Sequence, residues 1–286
     1  MKTVIDVLTG RELQVSENEL MFMECRTDGY ILSIPHAGTF VPKKIAHKLW
    51  IGKQMLLRTD MYTDAVYDTG KGIKVVSNIN KHVMNANRFK NPDFELLPPN
   101  LRNGVFYSKV GGFLRQEYTS KEKTEIIGLY EKYNSFIRKA INQMKKKHGF
   151  ALLFDCHSMN SIGLKGAVDE GKVRPDFDIG TVNDASAHCK LIECFCRILK
   201  SEAETFGFSV RKNYPYSGGA IIRKYGCPSK NVHAIQIEIK KSIYMDEELN
   251  TRRRKFRRKP DRIKKLNKIM TNVFKAVSDE AKQLLM

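Results

Sequence analysis

At 286 residues, with 42% hydrophobic side chains and nine prolines, the chain can bury a sizeable core and is too apolar for a disordered polymer. Its net charge is +19, no apolar run reaches the length of a membrane span, and the first twenty residues lack the apolar stretch of a secretion signal. Cysteines at 25, 156, 189, 194, 196 and 227 include no C-x-x-C pair. That argues against a zinc knuckle and for reduced thiols, so a cytoplasmic location is expected.

In chain order, "YILSIPHAGTFVP" (30–42) predicts a strand and a loop, and residues 44–70 predict mostly helix ending at Gly70. "IKVVSNI" (73–79) predicts a strand, and "HVMNAN" (82–87) another. Residues 90–112 carry Pro, Asn and Gly and read as a long loop. In 121–149, Ile126, Leu129, Tyr130, Tyr133, Ile137 and Ile141 recur every three or four residues, which predicts a helix stopped by Gly149. "FALLFDC" is a near-continuous apolar strand of the kind covered on both faces. Further strands are expected at "FDIGTV", "FSVRKN" and "VHAIQIEI", with a helix over 185–207. A closing helix has Pro260 in its first turn and Ile263, Leu266, Met270, Phe274 and Val277 facing inward. Strands alternating with long helices predict an α/β sandwich, whose active sites gather at the carboxyl ends of strands.

Several strand ends are polar. His36 follows "YILSIP", and Gly38 lets the backbone turn closely. Asp155 and His157 are two apart, on one side of a strand, so Asp155 can orient an imidazole by accepting its ring N–H. Asp60 and Asp64 are four apart and neighbours on a helix face. Either carboxylate beside the two histidines completes a competent zinc set, with a position left for water. Glu238 interrupts an apolar strand, so it needs a partner or a cavity, and it suits a general base. Arg88 can grip a carboxylate with help from Asn87, and Arg223 is a second candidate. Residues 251–268 hold eleven Lys or Arg and one Asp, a segment suited to a polyanion or a solvated face.

The ordered run "SIPHAGTFVP", "RTDMYTDAVYD", "NANRF", "LLFDCHSM", "DIGTVNDAS", "NYPYSGGAIIRKYG" and "VHAIQIEIKKSIYMDEE" resembles the N-formylglutamate amidohydrolases (deformylases) of histidine degradation, from about residue 30 to 248. That family is related to zinc carboxypeptidases and aspartoacylase-type deacylases. The resemblance implies a three-layer α/β sandwich with a mixed central sheet, carboxypeptidase-like (phosphorylase/hydrolase-like), forming one catalytic domain over 1–286. It implies one zinc per chain on His36, Asp60 and His157, with Asp64 in reserve and Asp155 behind. It makes Glu238 the general base, Asn87 and Arg88 the holders of a substrate carboxylate, and Gly218, Gly219 and Arg223 a substrate-side loop. The expected substrate is a small anionic N-acyl amino acid, N-formyl-L-glutamate above all. A peptidase or another deacylase would use the same machinery, and a catalytically silent relative would bind nucleic acid or an acidic protein through 251–268. Two positions depart from the pattern. Thr39 stands where carboxypeptidase-like relatives take a carboxylate ligand, and Asn85 stands where the family often has aspartate.

Overall fold

The computed structural model describes residues 1–27, 29–95, 102–107, 110–247 and 256–286. The apolar run at 151 becomes β7 (Ala151–Met159), buried along its whole length. Such a strand has no wet face, so it must lie inside a sheet. Its neighbours are β4 (Ile31–Ile34) and β10 (Val232–Lys240), both parallel to it. Beyond β4 come β6 (Ile73–Ser77), parallel, and β3 (Met21–Cys25), antiparallel. Beyond β10 come β8 (Phe177–Gly180), antiparallel to it, and β9 (Val210–Lys212), parallel to β8. Among the described residues the order is β3-β6-β4-β7-β10-β8-β9, a mixed seven-stranded sheet. A smaller sheet joins β1 (Lys2–Asp6), β2 (Glu12–Val15) and β5 (Phe40–Pro42) in the order β2-β1-β5.

Helices cover both faces of the large sheet. On one face lies α5 (Ser120–His148), begun by a Thr119/Glu122 capping box and ended by Gly149 in the left-handed region at φ 77°. Its Tyr133 hydroxyl meets Ser33 of β4 at 3.0 Å and the Val75 carbonyl of β6 at 3.3 Å. On the other face, Phe154 of β7 packs on Phe195 of α6 (Cys189–Glu204) and stacks at 4.4 Å on Phe274 of α8 (Pro260–Leu285). The inward stripe expected for α8 is buried as predicted. No helix of the described residues is long and apolar enough to cross a membrane.

Three local expectations need correction. Residues 44–70 are not one helix but three short ones: α2 (Lys43–Ala46), α3 (Lys53–Arg58) and α4 (Thr63–Val66). Asp60 falls in the break, so it and Asp64 are not neighbours on one helical face. Residues 82–87 form turns, not a strand. Their polar groups bond locally, Val83 N to the Asn80 carbonyl at 2.9 Å and Asn87 N to Asn85 Oδ1 at 3.0 Å, in competition with any ladder. The loop after Gly219 contains α7 (Ala220–Tyr225), which the glycines and short length conceal at the level of sequence. Two further short elements escape a periodicity reading, the edge hairpin β1–β2 and α1 (Glu17–Leu20), the latter closed by a Ser16/Glu19 capping box.

Candidate metal centre and catalytic site

His36 leaves the carboxyl end of β4 through Pro35. A Cβ at Gly38 would sit inside the Asn78 backbone, so only glycine lets this loop lie so close to residue 78. Asp60 follows α3, and its N–H donates to the His36 carbonyl at 3.1 Å, which ties the two loops together. Tyr62, next in the turn, is left-handed at φ 65° and starts α4. His157 is the seventh residue of β7, and the Tyr67 hydroxyl donates to its carbonyl at 2.9 Å.

These three side chains meet. His36 Nδ1 lies 3.4 Å and His157 Nδ1 3.2 Å from the same oxygen, Asp60 Oδ2. The candidate ligand atoms all lie within 4.8 Å of one another, and all three residues are buried. The far ring nitrogens face acceptors: His36 Nε2 is 2.8 Å from Asn85 Oδ1, and His157 Nε2 is 2.9 Å from Asp155 Oδ2. Acceptors there take the Nε2 protons and orient both rings, so that each Nδ1 faces inward toward Asp60 and is free to ligate once it carries no proton. Two imidazoles and a carboxylate, oriented from behind, fit a divalent metal ion. Asp155 is itself fully buried and accepts the Ser33 hydroxyl at 2.8 Å.

Charge is balanced inside this pocket. Burial would raise the Asp60 carboxyl, but Lys81 and the hydrogen bonds from His157 and His36 hold it well below its ordinary range. Lys81 Nζ stands 3.4 Å from Asp60 Oδ1, with its side chain 22% exposed. Burial pulls His36 down to about 4, against Asp60, so its imidazole is neutral at neutral pH. Burial also opposes charge on His157, but Asp155 and Asp60 overrule it and hold His157 well above its usual value. Asn87 Nδ2 approaches the same His157 Nε2 at 3.0 Å. Since the Nε2 proton points to Asp155 and Ile221 N donates to Asn87 Oδ1 at 2.8 Å, this approach is a packing contact that closes the ring edge.

Glu238 stands on β10 in register with His157 of β7 and with Asp178 of β8. Burial pushes its carboxyl up to about 8, with Asp60 and Asp178 adding to the rise and His157 and Lys81 opposing it. Its Oε1 accepts from Gln236 Nε2 at 3.0 Å, and Gln236 Oε1 accepts from Gly219 N at 2.7 Å. A Cβ at Gly219 would collide with the Asn87 amide, and Gly218 is at φ 130° beside Ile222 and Val182. The glycines thus let loop 217–221 press against the site. Asp178, raised to about 6 by burial, accepts N–H bonds from Tyr214 at 3.1 Å and Tyr216 at 2.8 Å and holds the start of that loop.

Other sequence candidates stand apart from the cluster. Asp64 is not among the converging ligand atoms; its carbonyl accepts from Lys74 Nζ at 2.8 Å. Thr39 donates to Asp6 Oδ1 at 2.7 Å. Arg223 turns back on its own loop, to the Gly218 carbonyl at 2.9 Å and Ser217 Oγ at 3.1 Å. Arg88 Nη1 is paired with the buried Glu95 at 2.9 Å, whose other oxygen accepts from Gly104 N at 3.1 Å. Of the basic segment, 251–255 lie outside the described residues; Arg257, Arg258, Arg262, Lys264, Lys265 and Lys268 are exposed.

Sequence reasoning missed Lys81, Gln236 and Asp178, and gave Asn85 no role. Gln236 carries the same signal as Asp155: a polar side chain two residues before a functional one on a buried strand, hence on the same side. Asn85 sits in the turn sequence 82–87 that reads as a strand, and Lys81 in the short gap before it.

The model of the N-formylglutamate amidohydrolase family matches residues 29–245. An N-formylglutamate deformylase of Pseudomonas putida is 30% identical over 234 residues, covering 76% of this chain and 82% of that protein. One of Pseudomonas aeruginosa is 27% identical over 231 residues, with the same two shares. Among solved structures, an N-formylglutamate amidohydrolase from Ralstonia eutropha JMP134 superposes with a TM-score of 0.71 at 19% identity, covering 91% of this chain and 98% of that one. With three-quarters of its length matched by the family model, and with curated relatives matched over most of theirs, the chain belongs to the N-formylglutamate amidohydrolase family.

Proposed function

We propose that the chain hydrolyses the amide of a small acidic N-acyl amino acid, most directly N-formyl-L-glutamate to formate and glutamate, with one zinc ion on His36, Asp60 and His157. The observation that carries this reading is the convergence of both Nδ1 atoms on Asp60 Oδ2, with Glu238 in register on the adjacent strand. When bound, such an ion supplies Lewis acidity, which polarises an acyl oxygen and makes a water more acidic. Glu238, neutral up to about pH 8 in the metal-free chain, ionises more readily beside a cation. It then takes the proton of the attacking water and returns it to the departing amine nitrogen. Lys81, a partly exposed ammonium at the rim of the cluster, stabilises negative charge growing on the acyl oxygen. Asp155 and Asn85 keep the imidazoles in the tautomer that presents Nδ1. Asn87 and Arg88 form the wall for the substrate carboxylate, and Arg223 is the candidate for the second carboxylate.

The Arg88–Glu95 pair favours a second reading within the same chemistry. A guanidinium already facing an internal carboxylate is a weaker anchor for an external one. Another N-acyl amino acid or a small peptide therefore stands as the alternative substrate.

The test is metal content and formate release from N-formyl-L-glutamate measured on one preparation, with His157→Ala as control. About one zinc per chain, and formate release lost in the variant, are the expected results. Zinc without formate release moves the substrate to the second reading. Neither zinc nor activity after adding zinc overturns both readings.

A further inference from the structure

A cleft of about 740 Å³, whose lining includes none of His36, Asp60 and His157, is walled by Val7, Leu8, Leu56, Tyr62, Phe256, Arg257, Arg258 and their neighbours. Its size is that of a small-molecule site. Val7, Leu56 and Phe256 are buried side chains, so the floor is apolar, and Leu8 at 36% exposure forms the lip. Arg257 and Arg258 are exposed, and among the described residues neither guanidinium has an ion-pair partner. The wall that carries them is held in place: Asp246 N donates to the Arg257 carbonyl at 2.9 Å, and Lys259 N to the Tyr244 carbonyl at 2.7 Å. Tyr62 also lines the cleft, and its hydroxyl donates to the Phe256 carbonyl at 2.7 Å, which ties the two segments together.

We infer that this cleft binds a small amphipathic anion, a carboxylate on an aliphatic body, at a site separate from the catalytic one. Two exposed guanidiniums beside an apolar floor match one charged head and one apolar tail, because the head gains charge-assisted hydrogen bonds while the tail leaves water. A polar anion without a tail would leave the floor wet, and an uncharged alcohol would leave the arginines unanswered. Tyr62 lies two residues after Asp60, so the occupied cleft would touch the turn that presents that carboxylate.

The probe is octanoate, titrated calorimetrically into the full chain, with acetate and octanol as comparisons. One saturable site per chain is expected, unchanged when N-formyl-L-glutamate is present in excess. Acetate and octanol should bind at least about tenfold more weakly. The Arg257→Ala/Arg258→Ala variant should lose at least about tenfold in octanoate affinity at an unchanged unfolding temperature. Leu8→Glu, which puts a like charge at the lip, should weaken octanoate in the same way and serves if the double variant is unstable. No saturable binding at millimolar octanoate, equal binding of acetate or octanol, full affinity in the variants, or displacement by N-formyl-L-glutamate would each overturn the inference. Because the titration reads binding and not turnover, a failure here is separable from a failure of the deformylase reading.

Discussion

Replacing Glu238 by glutamine should move stability and activity in opposite directions. Glu238 is 7% exposed, and among the described residues its side chain has one hydrogen bond, from Gln236. Burial lifts its carboxyl from an ordinary 4.5 to about 8. A carboxylate raised in the folded state contributes stability that is intact below about 4.5 and is lost as pH climbs through about 8. At pH 9 the ionised side chain therefore costs the metal-free fold roughly 3–5 kcal/mol relative to a neutral one, at 1.36 kcal/mol per pKa unit. Glutamine is nearly isosteric and cannot ionise, and its amide oxygen can still accept from Gln236. The metal-free Glu238→Gln protein should be more stable than the parent at pH 9 by a few kcal/mol, and about equal to it at pH 4.5. The zinc-loaded variant should lose hydrolysis by about 10²–10⁴-fold, since no group remains to carry the proton. Urea unfolding of metal-free protein at the two pH values gives the first number, and formate release from zinc-loaded protein the second. Equal stability at both pH values would refute the burial argument. Hydrolysis within tenfold of the parent would refute the general-base role.

Other outcomes follow from the same geometry. Asp155→Asn keeps an acceptor near His157 but removes the charge behind it, so zinc affinity should fall about 10–100-fold in competition with a chromophoric chelator; an unchanged affinity would mean that the 2.9 Å contact is only structural. Lys81→Met should lower kcat by about 10²-fold with zinc content retained; loss of zinc in place of rate would make Lys81 a partner of Asp60 alone. Gly219→Ala drives a methyl group into the Asn87 amide, which Ile221 N holds in place, and should destabilise by about 1–3 kcal/mol and raise KM. A KM equal to that of the parent in a folded Gly219→Ala protein would separate loop 217–221 from substrate binding.

The parts of this molecule that were legible in the sequence are those with a period or a strand end. Strand β7 announces itself by a run of apolar residues, and α5 and α8 by their stripes and stops. His36, His157 and Glu238 stand out because each is a polar group at or near the end of an apolar strand. Asp60 is harder to read. A helix pattern makes Asp60 and Asp64 equivalent, and only the break after Arg58, with Tyr62 in the left-handed region, separates them. No propensity rule predicts a non-glycine residue there. Lys81 and Asn85 were obscured for a related reason. The turn at 80–87 is held by side-chain bonds to its own backbone, and those bonds leave no periodicity to read. The Arg88–Glu95 pair joins two loop residues whose meeting depends on the path of the chain between them, which composition does not constrain.

The register of β10 against β7 is what turns these scattered residues into a site. Residues 157 and 238 are far apart in sequence, yet parallel pairing sets them side by side at one end of the sheet, as it does 155 and 236 one step behind. Side chains alternate along a strand, so a slip of one residue would bring Ile237 beside His157 and turn Glu238 to the opposite face, where α6 and α8 pack their aromatic rings. There a carboxyl would have no partner, and the error would cost the desolvation of a polar group as well as the lost packing. The same apolar neighbours that make Glu238 look out of place in the sequence therefore specify which way it points. Burial then raises its pKa, and the opposing charges of His157 and Lys81 limit the rise. Core packing and proton affinity at this position are thus two consequences of one strand pairing.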